Sequence, residues 1–214
     1  MMKILVVAAT DLEMNAIQHL QFPKSIHLNK RVLGIGQIAT TYHLMEAIHQ
    51  EIPDMIIQFG IAGAFTNAFA LGDTIAVESE IIADAGAVEN GTFRSIFDLG
   101  LQQENEYPFD GKKLYNPHKL MLEKTSVKTA TAITVNEITT SNDRIRYYIS
   151  TYDPAIESME GAAFHYTCLM KNIPFVQLRG ISNYVGERNK QHWKIELALK
   201  STAQAIQTLL SNNS

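Results

Sequence analysis

Short β-branched and apolar runs alternate with helix-like stretches along almost all of the 214 residues, and nothing between them reads as a linker, a repeat or a low-complexity tract. A chain so patterned folds around a sheet buried on both faces, with helices packed against it. The pattern predicts strands at residues 4–8, 54–59, 126–134 and 174–181, a turn and a strand within 71–77, and a short extended piece at 32–36. It predicts helices at 11–20, 38–50, 118–123, 142–151, after Glu160, and from about 193 to 210. Residues 84–117 lose the pattern and read as a long irregular segment, which in a compact domain is functional or mobile. The expected architecture is an α/β fold in one domain spanning 1–214. Its mixed, mostly parallel sheet is flanked by helices, and its site lies at the carboxyl ends of the strands.

Composition narrows the partners. At 46% apolar residues the chain can bury a large core, and a net charge of -4 gives no electrostatic footprint for nucleic acid or an anionic membrane. A small molecule is the expected partner. The apolar run before Thr10 and Asp11 is too short for a signal segment or a membrane span, and the one cysteine, Cys168, cannot form an internal disulfide. The expected compartment is the cytoplasm.

Two stretches carry candidate chemistry: Ile156-Glu157-Ser158-Met159-Glu160-Gly161, and Arg179-Gly180-Ile181-Ser182-Asn183. Glu160 falls between an extended run and a helix, where a carboxylate can accept from two adjacent sugar hydroxyls and stabilise a cationic sugar ring. Asn183 closes an apolar strand, and its amide offers a donor and an acceptor to the N7/O6 edge of a 6-oxopurine. Taken singly, the first is also what a helix start looks like and the second what a turn looks like. Two glycine-bearing segments, Gly34-Ile35-Gly36 and Gly60-Ile61-Ala62-Gly63, read as tight turns; neither completes a dinucleotide fingerprint or a P-loop. The seven histidines are dispersed and no Gly-x-Ser-x-Gly elbow is present, so no metal and no cofactor are expected. Carboxylate chemistry remains, with Glu13 and Asp11 in the first βα turn and Glu160 in a later one.

The order of Thr10-Asp11-Leu12-Glu13, Gly34-Ile35-Gly36, Gly60-Ile61-Ala62-Gly63, Leu71-Gly72-Asp73, Ser158-Met159-Glu160-Gly161 and Arg179-Gly180-Ile181-Ser182-Asn183 resembles the purine nucleoside phosphorylase and nucleosidase superfamily over nearly the whole chain. Within it, Ile181-Ser182-Asn183-Tyr184-Val185-Gly186-Glu187-Arg188-Asn189, followed by Trp193 and Lys194, most resembles the futalosine hydrolases of an alternative menaquinone pathway. The resemblance implies that Glu13 activates the attacking water, that Met159 and Glu160 bind the sugar, and that Asn183 meets the base, with Gly63, Ile61 and Ser182 around the substrate. Asn183 stands where adenosine-type nucleosidases carry an aspartate; an amide cannot protonate N7 but can bridge N7 and O6. Residues 10–22 hold no Arg or Lys, and Ile61 stands where phosphorylases place a hydroxyl residue, so the resemblance implies water and not phosphate as nucleophile. It also implies a homo-oligomer, because sites in this superfamily often border a subunit interface. The expected reaction is release of hypoxanthine from futalosine. A methylthioadenosine/S-adenosylhomocysteine nucleosidase, a purine nucleoside phosphorylase and a non-catalytic nucleoside sensor stand as alternatives.

Overall fold

The computed structural model describes residues 1–212. Its elements follow in chain order as β1 (Met2–Ala8), α1 (Asp11–Asn15), β2 (Ile26–Val32), α2 (Gln37–Gln50), β3 (Met55–Ala64), β4 (Thr74–Ile82), β5 (Gly86–Glu89), β6 (Thr92–Ser95), β7 (Leu114–Tyr115), α3 (Lys119–Glu123), β8 (Lys128–Thr134), α4 (Asn142–Tyr152), β9 (Ile156–Ser158), α5 (Gly161–Lys171), β10 (Phe175–Tyr184) and α6 (Ile195–Ser211), with a 3₁₀ turn at Lys190–His192 before the last helix. No helix among the described residues is long and apolar enough to cross a membrane.

All the strands but β5 and β6, which form a hairpin of their own, join one mixed sheet. β1 pairs in parallel with β2 and β3, β3 with β10, β4 with β8, and β8 with β9. The β10–β4, β3–β9 and β4–β7 pairs are antiparallel. Because β3 accepts both β9 and β10, the path β10-β4-β8-β9-β3 returns on itself and closes a ring, from which β1 and β2 extend as a wing. Helices cover both faces of β1 and of the adjoining halves of β3 and β10. Ile206, Leu209 and Leu210 of α6 pack with Ile4, Val6, Ile57 and Leu178 on one side. Leu44 and Ile48 of α2, with Phe164 and Cys168 of α5, pack on Leu5, Val7, Ile56 and Phe175 on the other. Residues inaccessible on both faces explain why these strands are almost continuously apolar.

Three local expectations give way to the structure. The helix expected at 11–20 stops after Asn15, where Ile17 N–H bonds to Met14 O and Gln18 N–H to Asn15 O; these tighter turns tuck Ile17 into the core. Gly60-Ile61-Ala62-Gly63 is the second half of β3 and not a turn. Pairing with β10 carries the strand through both glycines, and a side chain at Gly60 would place its Cβ within 2.5 Å of Glu13 Oε1. The glycine is there for close approach. Residues 84–117, expected to be irregular, hold the β5–β6 hairpin and β7, and Phe97, Phe109 and Leu114 pack against Ala162 at the start of α5.

Candidate active site

Glu13 is placed by a capping box. Thr10 is the N-cap of α1, its hydroxyl oxygen accepts Glu13 N–H at 3.3 Å, and Glu13 Oε2 accepts Thr10 N–H at 3.0 Å. The same oxygen takes Ala9 N–H at 3.1 Å and the Thr10 hydroxyl at 3.0 Å. Among the described residues Oε1 takes one donor, Ile61 N–H at 3.1 Å, across from β3. The buried carboxylate is therefore pinned through Oε2 and keeps acceptor capacity on Oε1.

Glu160 occupies the N-cap of α5 yet caps nothing with its side chain. Its Oε1 accepts Gly36 N–H at 3.1 Å, and its Oε2 pairs with Arg179 Nη2 at 3.3 Å. Gly36 has φ +86°, a left-handed backbone that glycine adopts without strain, and this turns its N–H toward the carboxylate. Arg179, fully buried in β10, also donates to Gln58 Oε1 at 3.2 Å. Beneath this pair, Glu80 is sealed in the core, accepting from Gln177 Nε2 at 2.8 Å and Thr134 Oγ1 at 2.9 Å. The Thr134 hydroxyl oxygen in turn takes Ala162 N–H at 2.7 Å in the first turn of α5. Burial pushes the Glu80 carboxyl up to about 7, against the pull of its hydrogen bonds.

Asn183 reaches its place through a bulge. Ile181 pairs with Ala62 and Asn183 with Gly63, so Ser182 is the extra residue and Asn183 takes the position opposite Gly63 that Ser182 would otherwise hold. The Asn183 amide donates from Nδ2 to Tyr184 O at 3.0 Å and accepts the Ser182 hydroxyl at 2.7 Å. That uses one of its two N–H donors and leaves the other. On the far side of Gly63, β9 pairs Glu157 with the same residue. Glu157 Oε1 accepts Thr139 N–H at 3.0 Å, while its Oε2 is buried without a partner among the described residues. Burial raises the Glu157 carboxyl above its usual range, with the Thr139 hydrogen bonds opposing and Asp84 adding to the rise.

These groups line one cavity of about 310 Å³ at the ends of β1, β3, β9 and β10. Glu13, Ile61, Gly63, Met159, Glu160, Ser182 and Asn183 all line it, while Asp11, the other acid of the first βα turn, does not. Leu12, Ile35, Trp193 and Ile195 give its wall an apolar share, and Lys190 is the one cationic side chain among the described residues that line it. Glu157 and Thr139 were not anticipated. In the sequence Glu157 is one more acid beside Glu160, and the only hint is an acid set between Ile156 and Ser158 in an extended run. Arg179 was visible as part of a motif, but nothing in the sequence shows that it pairs with Glu160.

A family model described as the phosphorylase superfamily matches residues 24–211. A futalosine hydrolase of Thermus thermophilus is 28% identical over 181 residues, covering 83% of this chain and 79% of the relative. A 5′-methylthioadenosine/S-adenosylhomocysteine nucleosidase of Aeromonas salmonicida is 24% identical, with 83% and 78% covered. Among solved structures, the native futalosine hydrolase of Helicobacter pylori superposes with a TM-score of 0.80 at 14% identity, covering 98% of this chain and 97% of that one. At that identity the likeness is one of fold.

Proposed function

The chain belongs to the phosphorylase superfamily, and from that footing we propose that it is a nucleosidase that hydrolyses the N-glycosidic bond of futalosine to release hypoxanthine. The observation that carries the reading is the meeting of Glu13, Glu160 and Asn183 on one cavity of nucleoside size. Water set against Glu13 Oε1, the oxygen with spare acceptor capacity, loses its proton to the carboxylate as its oxygen bonds to C1′ of the sugar. Glu160, whose charge is held by Arg179 and Gly36 N–H, takes the ribose hydroxyls and stabilises the positive charge that builds on the ring. The electron pair of the C1′–N9 bond leaves with the purine, the free N–H of Asn183 meets the developing charge on its N7/O6 edge, and the departing anion takes a proton from water, which the proton held by Glu13 makes good. Met159, Ile61, Gly63 and Ser182 shape the walls around the substrate.

Water is preferred to phosphate because a dianion needs several charge-assisted donors. Lys190 is the one cation on the described wall, Arg179 is engaged by Glu160 and Gln58, and residues 10–22 supply no Arg or Lys. An adenine-releasing nucleosidase is disfavoured by Asn183, which has no proton to give N7. Incubating the protein with futalosine and with methylthioadenosine, each with and without phosphate, tests the reading. Free hypoxanthine from futalosine alone is expected, and phosphate-dependent or adenine-only release refutes it. The reading extends to a homo-oligomer: Ile38 (87% exposed), Tyr42 and Tyr166 form an apolar face between α2 and α5 suited to a second copy. Sedimentation at micromolar concentration should give at least twice the monomer mass.

A further inference from the structure

Glu80 of β4, Thr134 of β8, Gln177 of β10 and His165 of α5 are all fully buried. Two of their atoms, His165 Nε2 and Gln177 Oε1, have no partner among the described residues. The Leu114 carbonyl can only accept, so His165 Nδ1, 3.0 Å from it, carries the proton of the ring. Burial holds the imidazole down at about 4, which keeps it neutral and leaves Nε2 a bare lone pair in need of a donor. Gln177 Oε1 is an acceptor as well, and the Gln177 amide is near enough to act on the ionisation of His165. Two unpaired acceptors on neighbouring buried side chains are costly.

The two ends of an amide have the same shape, and the surrounding hydrogen bonds decide which is oxygen and which nitrogen. Turned over, the Gln177 amide donates from Nε2 to His165 Nε2 and sets Oε1 where the nitrogen stood, 2.8 Å from Glu80 Oε1. Two oxygens at that distance share a proton, and Gln177 has none to give there, so Glu80 must carry it. The other Glu80 oxygen still accepts the Thr134 hydroxyl, whose oxygen accepts Ala162 N–H. Both orphaned atoms then have partners, and each bond from His165 to Ala162 has one donor and one acceptor.

We propose that Glu80 works as a neutral acid, a positioning residue whose proton, donated to Gln177, holds the start of α5 and with it Glu160. The chain of bonds begins at His165 and ends at Ala162, both on α5, and passes through β10, β4 and β8, so it clamps the helix to the sheet beside Glu160. Gly161 gives it passage, since a Cβ there would collide with Glu80 Oε1. Neutrality matters as much as the bonds. Arg179 is the cation acting on Glu80, and Glu160 is the neighbouring anion. An ionised Glu80 would set two buried carboxylates against one guanidinium, whereas a protonated Glu80 leaves that charge to Glu160.

The effect on catalysis rests on the nucleosidase reading above; the place of the proton does not. Infrared difference spectra between wild type and Glu80→Gln at pH 6 should show the carbonyl band of a protonated acid, and a carboxylate band in its place overturns the proposal. Glutamine presents a donor and an acceptor where the neutral acid does. Glu80→Gln should therefore keep most of the kcat on futalosine that Glu80→Met loses, roughly 10-fold or more, and equal losses in the two variants count against it. The wild-type rate should decline above pH 7, as Glu80 ionises, while Glu80→Gln holds its rate. The same decline in both refutes a role for this proton. Should futalosine stay intact in the wild type, the functional reading fails while the infrared band still decides where the proton sits.

Discussion

Glu13 and Glu160, at one end of the cavity, are held by backbone N–H groups of Ala9, Thr10, Gly36 and Ile61 and by a buried arginine. Asn183 and Glu157, at the other end, each keep a polar function unspent: an N–H on the amide and an oxygen on the carboxyl. The first end is fixed before any ligand arrives, mostly by backbone donors that substitution does not alter, with the Thr10 hydroxyl and Arg179 as its side-chain donors. The second end is completed by the ligand, and side chains alone decide what completes it. Preorganised charge suits a step common to all nucleosides, cleavage at C1′. Unpaired groups suit the choice of base, because a wrong ligand leaves them unpaired.

The contrast breaks most visibly at Arg179. Arg179→Met leaves Glu160 a buried charge with only Gly36 N–H for company, and removing one member of a buried pair costs on the order of 3–5 kcal/mol. Urea unfolding should register that loss; a variant as stable as the wild type would mean the pair is not what fixes this end. Next comes Glu13→Gln, which keeps the shape and removes the proton acceptor. Turnover should drop on the order of 10²-fold or more while substrate binding survives, and near-normal single-turnover rates would place water activation elsewhere.

At the other end, Asn183→Asp replaces the amide donor with an acceptor. Activity on futalosine should fall roughly 10- to 10³-fold, while the adenine counterpart, whose N7 the new acid can protonate, should gain. An unchanged ratio of kcat/KM would detach Asn183 from the base. The smallest effect concerns Glu80, under the fixed end. Its carboxyl stays protonated in the fold up to about pH 7, whereas an unperturbed one ionises near 4.5. Below 4.5 both states hold the proton and its contribution is intact. As pH rises toward 7 the unfolded chain releases the proton first, and stability declines by on the order of 1–3 kcal/mol. Glu80→Gln has no proton to release, so its advantage over wild type in denaturant midpoint should widen between pH 5 and 8; a constant difference across that range speaks against it.

Periodicity made much of the fold legible. β1, α2, β8, β10 and α6 fall within a few residues of where their apolar runs put them, because strands buried on both faces leave little choice of residue. Glycine misled at Gly60-Ile61-Ala62-Gly63: its local freedom argues for a turn, and only the pairing of β3 with β10 keeps the chain extended. The ring closure itself left no mark, since a strand with three partners reads like one with two. Polar side chains just beyond strands can be picked out as residue types, and Glu13, Glu160 and Asn183, picked out in that way, line one cavity. Glu157 could not, because its meaning lies in register: it is the residue across from Gly63, and register is set by strands far apart in sequence.

The ring closed by β3 and β10 also dictates a timetable. Arg179 and Gln58, which meet across it, are 121 residues apart along the chain. During synthesis β3 emerges early and must wait for β10 with one side unpaired, an open template for the strands of other nascent chains. Contacts this distant in sequence slow folding, since the intervening loop must close before they reward it. The carboxylate of Glu13 is thus made long before the arginine and the amide that complete its surroundings. A ribosome stalled before residue 175 would carry most of the core and none of the finished pocket.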